Sequence, residues 1–283
     1  MSDSGDEHLL KLFPNAGEAA PLRGLYTSEP LRPAGGPGRT FVYANFIVSL
    51  DGRISLPDPE TKTHVVPRAT ANPRDWRLVQ ELAAGADVLV TTGRYIRDLA
   101  QGVAQDSLPV SDKPAFADLL EWRRARGLPP QPAVVVVSAS LNLPIPDALL
   151  ESGRKVYVAT GSEADPERIA ALQSKGVKVL STGPEMRVDG PWLVGALDAE
   201  GFRNIDMVAG SELLNTLIAG QVLDRLYLTH ACRVLGGVSF HTLLTGRILE
   251  PPASFELKSL YYDAPRSGEM AQLFAVYDYK RVR

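Results

Sequence analysis

Apolar residues fill nearly every position from Phe41 to Val48, in the run FVYANFIVSLDG, before the chain turns polar at Ser49-Leu50-Asp51-Gly52. A strand without polar alternation is one covered on both faces, and Asp-Gly supplies a turn. Strands are predicted over 41–49, 86–91, 133–138, 155–159, 177–180, 204–209, 225–231, 254–262 and 271–279. Helical stretches separate most of them. Asn72-Pro73-Arg74-Asp75 reads as an N-cap, a proline at the first helical position and an acid in the first turn, leading into Trp76, Val79 and Ala83. Asp165-Pro166-Glu167 repeats that order, and Gly176 closes the helix that follows. A third helix over 211–220 carries Leu213, Leu214, Leu217 and Ile218 on one face.

Strands alternating with helices predict an α/β fold, a mostly parallel sheet with helices on both faces. Only Pro265 to Gly268 separates the last two strands, which should pair as an antiparallel hairpin at one edge. The organisation expected is one domain over 40–283 preceded by an arm or linker over 1–39. Leu31 to Arg39, LRPAGGPGR, reads as an extended connection, whereas Leu9, Leu10, Leu12 and Phe13 could dock on a surface, leaving the arm partly ordered at best.

The chain has 283 residues and a net charge of −3, so it carries no electrostatic footprint for nucleic acid. Cys232 is the only cysteine, which excludes an intrachain disulfide and a thiolate zinc site. Its neighbours Ala231 and Val234 suggest a small buried residue. The four histidines do not form a metal set: His64 falls in a polar loop and His241 in an apolar stretch, where a hydrogen-bonded core or interface role is expected. The start MSDSGDEHLL lacks a basic region and an apolar core, and no apolar run approaches the roughly 18 residues of a membrane span. A cytoplasmic protein without membrane partners is the expectation.

Neither GxGxxG nor GxxxxGK(S/T) occurs after a strand. The donors lie instead at strand ends. Ser49 and Asp51 end a central strand, where open α/β sheets place ligands. Gly210-Ser211-Glu212 opens a helix, and its N–H groups with the Ser211 hydroxyl suit an anion. Thr92-Gly93-Arg94 offers an arginine at a second junction. Ser138-Ala139-Ser140 ends a third strand with two hydroxyls. A ligand several phosphates long could span these ends. The basic run Leu119 to Gly127 reads as a solvated helix face.

The ordered set Ser49-Leu50-Asp51-Gly52, Ala86 to Val90 then Gly93, Val134 to Ser138 with Leu141 and Pro144, Met207 to Ser211, and Val222 to Leu226 then Leu235-Gly236-Gly237 resembles the reductase domain of bacterial riboflavin biosynthesis. The resemblance covers about 40–280. Gly24-Leu25-Tyr26 and Ala44-Asn45-Phe46 resemble a stand-alone pyrimidine-reductase-like subgroup. It implies a three-layer, dihydrofolate-reductase-like fold that binds NADPH and reduces the ribose of a 5-amino-6-(phosphoribosylamino)uracil-like substrate to a ribityl chain. Cofactor binding would then fall to Thr92, Gly93, Arg94, Ser138, Ala139, Ser140, Gly210, Ser211 and Glu212. Asn45, Ser49 and Asp51 would face substrate, Ser49 by hydrogen bonding and Asp51 by placing a proton donor or water. Arg94 with Ser138 and Ser140 would select NADPH over NADH.

A homodimer is also implied, and Phe255, Leu257, Leu260, Tyr261, Phe274, Val276 and Tyr277 make the C-terminal hairpin apolar enough to serve one. The sequence departs from the family pattern at Ala209-Gly210-Ser211, where Glu-Gly-Gly is usual, at Ile96, at Asn45 in place of lysine, and at Arg97 to Pro109. That last stretch has no counterpart of the family's Asp-Asp/Asn-Pro…Leu…Arg. Two other readings stay open: reduction of another pterin-, folate- or carbonyl-type substrate on the same fold, and a non-catalytic NADPH-binding dimeric protein.

Overall fold

The structure, a computed structural model, describes residues 8–28, 31, 38–104, 110–265 and 269–281. Residues 32–37 of the expected connection, 105–109 of the divergent stretch and 266–268 of the expected hairpin turn lie outside the described residues. The strands in chain order are β1 (His8–Phe13), β2 (Ala19–Pro21), β3 (Phe41–Ser49), β4 (Leu56–Pro57), β5 (His64–Val65), β6 (Val88–Thr92), β7 (Ala133–Val137), β8 (Val156–Thr160), β9 (Lys178–Ser181), β10 (Asn204–Met207), β11 (Arg225–Ala231), β12 (Ser254–Asp263) and β13 (Gln272–Lys280). The helices are α1 (Pro73–Gly85), α2 (Gly93–Ala100), α3 (Ala117–Ala125), α4 (Asp147–Glu151), α5 (Pro166–Ser174), α6 (Gly190–Ala199) and α7 (Ser211–Ala219). Among the described residues, no helix is long and apolar enough to cross a membrane.

All strands except β4 and β5 join one eleven-stranded sheet in the order β2-β1-β12-β13-β11-β3-β10-β6-β7-β8-β9. From β11 to β9 every neighbouring pair is parallel. The apolar run that opens the chain's main domain sits near the middle of this sheet, as β3. Its Phe41 and Tyr43 pack with Leu82, Leu89, Ile96, Leu119 and Val134 on one face. Val42, Ala44, Phe46 and Val48 pack with Val90, Leu193, Leu197 and Leu214 on the other. Two covered faces explain why this strand lacks polar alternation. The α/β architecture, a mostly parallel sheet covered on both faces, is the one expected, and β12 and β13 form the C-terminal antiparallel hairpin.

That hairpin is not the edge of the sheet. β1 pairs antiparallel with β12, Leu10 opposite Tyr262, and β2 pairs with β1. Leu9 is buried with Leu22, Leu78 and Phe274. The N–H groups of Gly24 and Tyr26 donate to the Glu81 carboxylate of α1, tying this segment to the domain. The uncovered edge that favoured a homodimer is therefore occupied by the chain itself.

Two further readings are corrected. Arg123 is not on a solvated face: its guanidinium is fully buried and donates to the carbonyls of Ala84, Ala86 and Pro129, joining the end of α1 to the loop before β7. Cys232 is exposed, because β11 ends at Ala231 and the chain leaves the sheet there.

Candidate active site

The carboxyl ends of β11, β3, β10, β6 and β7 lie side by side, and every predicted site residue lies on this edge or, like Asn45, on a strand leading to it. Strands sit about 4.8 Å apart, so the step from β3 to β7 spans roughly 15 Å. Ser49 ends β3 with Asp51 in the turn beyond it, Gly210 to Glu212 come after β10, Thr92 ends β6 with Gly93 and Arg94 opening α2, and Ser138 to Ser140 follow β7.

The turn after β3 is a clasp. Gly52 adopts φ +83° and donates its N–H to the Ser49 carbonyl at 2.9 Å. The Ser49 hydroxyl donates to Asp51 at 2.5 Å and accepts from the Arg53 N–H at 3.0 Å. Asp51 also accepts from the N–H groups of Leu235 at 3.1 Å and Gly236 at 2.7 Å, beyond the end of β11. Arg53 ion-pairs with it at 3.2 Å and donates to the Gly236 carbonyl. The Ser49 hydroxyl above all, then the two backbone N–H groups and Arg53, hold the Asp51 carboxyl down at about 2. At neutral pH it carries no proton to give. Leu50, the last apolar residue of the run, turns outward.

Two helix N-termini open on the same edge without a side-chain cap. α1, α5 and α6 are capped by Asn72, Asp165 and Asp189. Thr92 before α2 and Gly210 before α7 make no such bond. The space beside Gly210 is open, and Ser211 meets the Thr245 hydroxyl at 2.8 Å. Free N–H groups at a helix start, with a glycine and a hydroxyl beside them, suit the diphosphate of a dinucleotide.

Gly93 is crowded where Gly210 is open. A Cβ there would lie 2.8 Å from Leu143 Cδ2, 3.2 Å from Ser138 Oγ and 3.3 Å from Arg97 Nη1. Ser138 accepts from the Leu141 N–H, Arg97 donates to the Asn142 carbonyl and Arg168 to the Ser140 carbonyl. The cations at this loop are thus Arg97 and Arg168. Arg94 turns the other way: it donates to the His64 carbonyl at 3.0 Å and lies 3.8 Å from Asp98.

Asn45 is half-buried on the β3 face shared with Tyr43, with Tyr227 beside it in register. The same face carries a group whose sequence context marks only a helix-start acid. Asp75, in the first turn of α1, is buried and accepts from the Thr229 hydroxyl of β11 at 2.6 Å. Burial pushes its carboxyl up to about 6, against the pull of that hydrogen bond. Asp206 in β10 is pushed up to about 8 by burial alone. His64 and His241 also meet at this edge, their rings stacked with centroids 4.0 Å apart. No local sequence signal marks Asp75 or the histidine pair, because each partner comes from a distant strand or loop.

A model of the RibD C-terminal domain family matches residues 40–266. The 2,5-diamino-6-ribosylamino-4(3H)-pyrimidinone 5′-phosphate reductase of Methanothermobacter thermautotrophicus is 25% identical over 227 residues, 79% of this chain and 93% of that protein. The protein of the same name from Aquifex aeolicus is 22% identical over 209 residues, 74% of this chain and 84% of its own length. Among solved structures, a pyrimidine reductase-like protein from Corynebacterium diphtheriae superposes with a TM-score of 0.61 at 19% identity, covering 86% of this chain and 93% of that one.

Proposed function

The chain belongs to the RibD C-terminal domain family, and from that premise we propose that it is an NADPH-dependent reductase of the riboflavin pathway. Its substrate is a 6-(ribosylamino)pyrimidine 5′-phosphate, whose ribose becomes an open ribityl chain. Two relatives that match most of the chain are pyrimidinone 5′-phosphate reductases by name. The observation that carries the reading is the set of adjoining strand ends: two uncapped helix N-termini, the Ser138–Ser140 loop and the Ser49–Asp51 clasp on one edge of a parallel sheet.

A reduced nicotinamide cofactor, when bound, supplies the hydride. Thr92, Gly93, Ser138, Ala139 and Ser140, flanked by Arg97, hold the adenosine end with its extra phosphate. Gly210, Ser211 and Glu212 present the start of α7 to the diphosphate. Arg94 serves phosphate from the hairpin side. Asn45 and the Ser49 hydroxyl orient the substrate.

Asp51 is a positioning residue: as a permanent carboxylate it fixes the Ser49 hydroxyl and binds the 235–236 loop to the end of β3. The proton required on the sugar nitrogen or oxygen comes from Asp75 Oδ, whose carboxyl is poised near neutrality for general acid work.

The test is NADPH oxidation with a panel of the diaminopyrimidinone and aminouracil ribosylamine phosphates, dihydropterins, dihydrofolate and simple carbonyl compounds. Turnover of either pyrimidine is expected. Turnover confined to the other compounds, or none at all, would overturn the assignment.

A further inference from the structure

The short β4–β5 hairpin folds back over the carboxyl end of the sheet and carries His64 onto His241. The two rings stack with their planes 22° apart. Ser55, whose backbone bridges to His241, sets its hydroxyl 3.0 Å from His241 Nδ1 and 3.5 Å from His64 Nδ1. Ser239 lies 3.4 Å from His64 Nε2. One hydroxyl between two ring nitrogens can donate to one and accept from the other, which sets the rings in complementary tautomers. Arg94 reaches this hairpin from α2 by its bond to the His64 carbonyl.

The charges facing the pair are lopsided. Burial first, then the other ring and Arg94, lower the titration of His64. Burial first, then Arg94, lower that of His241, with Glu212 opposing. Asp98 lies 3.8 Å from Arg94. Two imidazoles and a guanidinium held together repel each other's charge, and a dianion placed among them removes that repulsion. A metal ion does not fit: among the described residues, no group of three His, Cys, Asp or Glu side chains is placed to hold one.

We propose that His64, His241 and Arg94, with the Ser55 and Ser239 hydroxyls, form a phosphate-binding site at the carboxyl edge of the sheet. The site deepens the reductase reading and rests on it for the source of the phosphate. That phosphate belongs either to the sugar of the substrate or to the diphosphate of the cofactor. The imidazoles gain protons as it binds, so affinity rises as pH falls.

The experiment is an NMR titration of the histidine ring signals of the full chain, at about pH 6 and about pH 8, with inorganic phosphate, ribose 5-phosphate and NADPH in separate arms. Phosphate should shift both rings and raise their titration midpoints, and its dianion, counted at each pH from phosphate's own second ionisation, should bind about tenfold or more tightly at the lower pH. Arg94→Gln and the His64→Gln/His241→Gln pair should each lose the phosphate effect. Ring shifts with ribose 5-phosphate but not NADPH assign the site to the substrate's phosphate, and the reverse assigns it to the cofactor's. Rings that do not respond to phosphate, or that respond equally with Arg94→Gln, overturn the site. Pyrimidine turnover with silent rings overturns the site alone, whereas responsive rings without pyrimidine turnover keep the site and remove the reductase reading.

Discussion

Asp75→Asn separates stability from catalysis at one buried atom. Asparagine keeps an oxygen to accept from Thr229 and removes the titration. The Asp75 carboxyl stands at about 6 in the folded protein against 3.8 when unperturbed. At ~1.4 kcal/mol per pH unit, that rise is worth about 3 kcal/mol. The folded pKa is raised, so the contribution is fully present below pH 3.8 and is lost as pH climbs through 6. Wild type and variant should therefore match in stability at the acid end. By pH 8 the variant should be more stable by up to about 3 kcal/mol, read by urea unfolding across the pH range. Turnover should move oppositely, falling about 100-fold or more for loss of a general acid. The wild-type rate should decline above pH 6. A variant with normal turnover refutes the catalytic role. A variant destabilised equally at every pH refutes the buried-carboxyl reasoning.

The clasp and the cofactor edge can be tested alongside. Asp51→Asn should speed amide exchange at Leu235 and Gly236 and lower turnover by tenfold or more, on the order of losing one orienting group; in wild type the same loosening should appear as pH falls from 3.8 through about 2. Arg97→Ala should weaken NADPH more than NADH by calorimetry, and Arg94→Ala should not change the ratio of the two affinities, because of these two only Arg97 reaches the Ser138–Asn142 loop. Gly93→Ala should weaken both cofactors without unfolding the chain, since its Cβ meets Leu143 at 2.8 Å; unchanged affinities would remove Gly93 from the site. Arg123→Met should cost ~3 kcal/mol or more in urea unfolding, through three orphaned carbonyls, whereas a loss under 1 kcal/mol would restore the solvated-face reading.

What could be read from sequence was what a local pattern encodes. β3 and β11 match their predicted bounds because their side chains are buried on both faces, and α1 starts where Asn72-Pro73 places it. β1 is legible only as apolar residues able to dock, and not as a strand, because its partner lies near the other end of the sequence. Arg123 looked like its solvated neighbours, and only the carbonyls at the end of α1 distinguish it. The strand-end donors were legible as types, but not their direction: Arg94 and Arg97 are three residues apart on one helix and point to different loops. Asp75 and Thr229 are 154 residues apart, so no spacing rule could join them.

The pairing of Leu10 with Tyr262 bears on how the chain assembles. β1 is made well before β12 and cannot find its place until that later strand exists. Loop-closure entropy grows only with the logarithm of length, so this late docking costs little more than a shorter one. It does impose an order, because until β1 docks, β12 presents a bare edge able to recruit a neighbouring chain. The edge of the hairpin is thus guarded by a strand far upstream in the chain, and a change in β1 would act on the behaviour of β12 and β13.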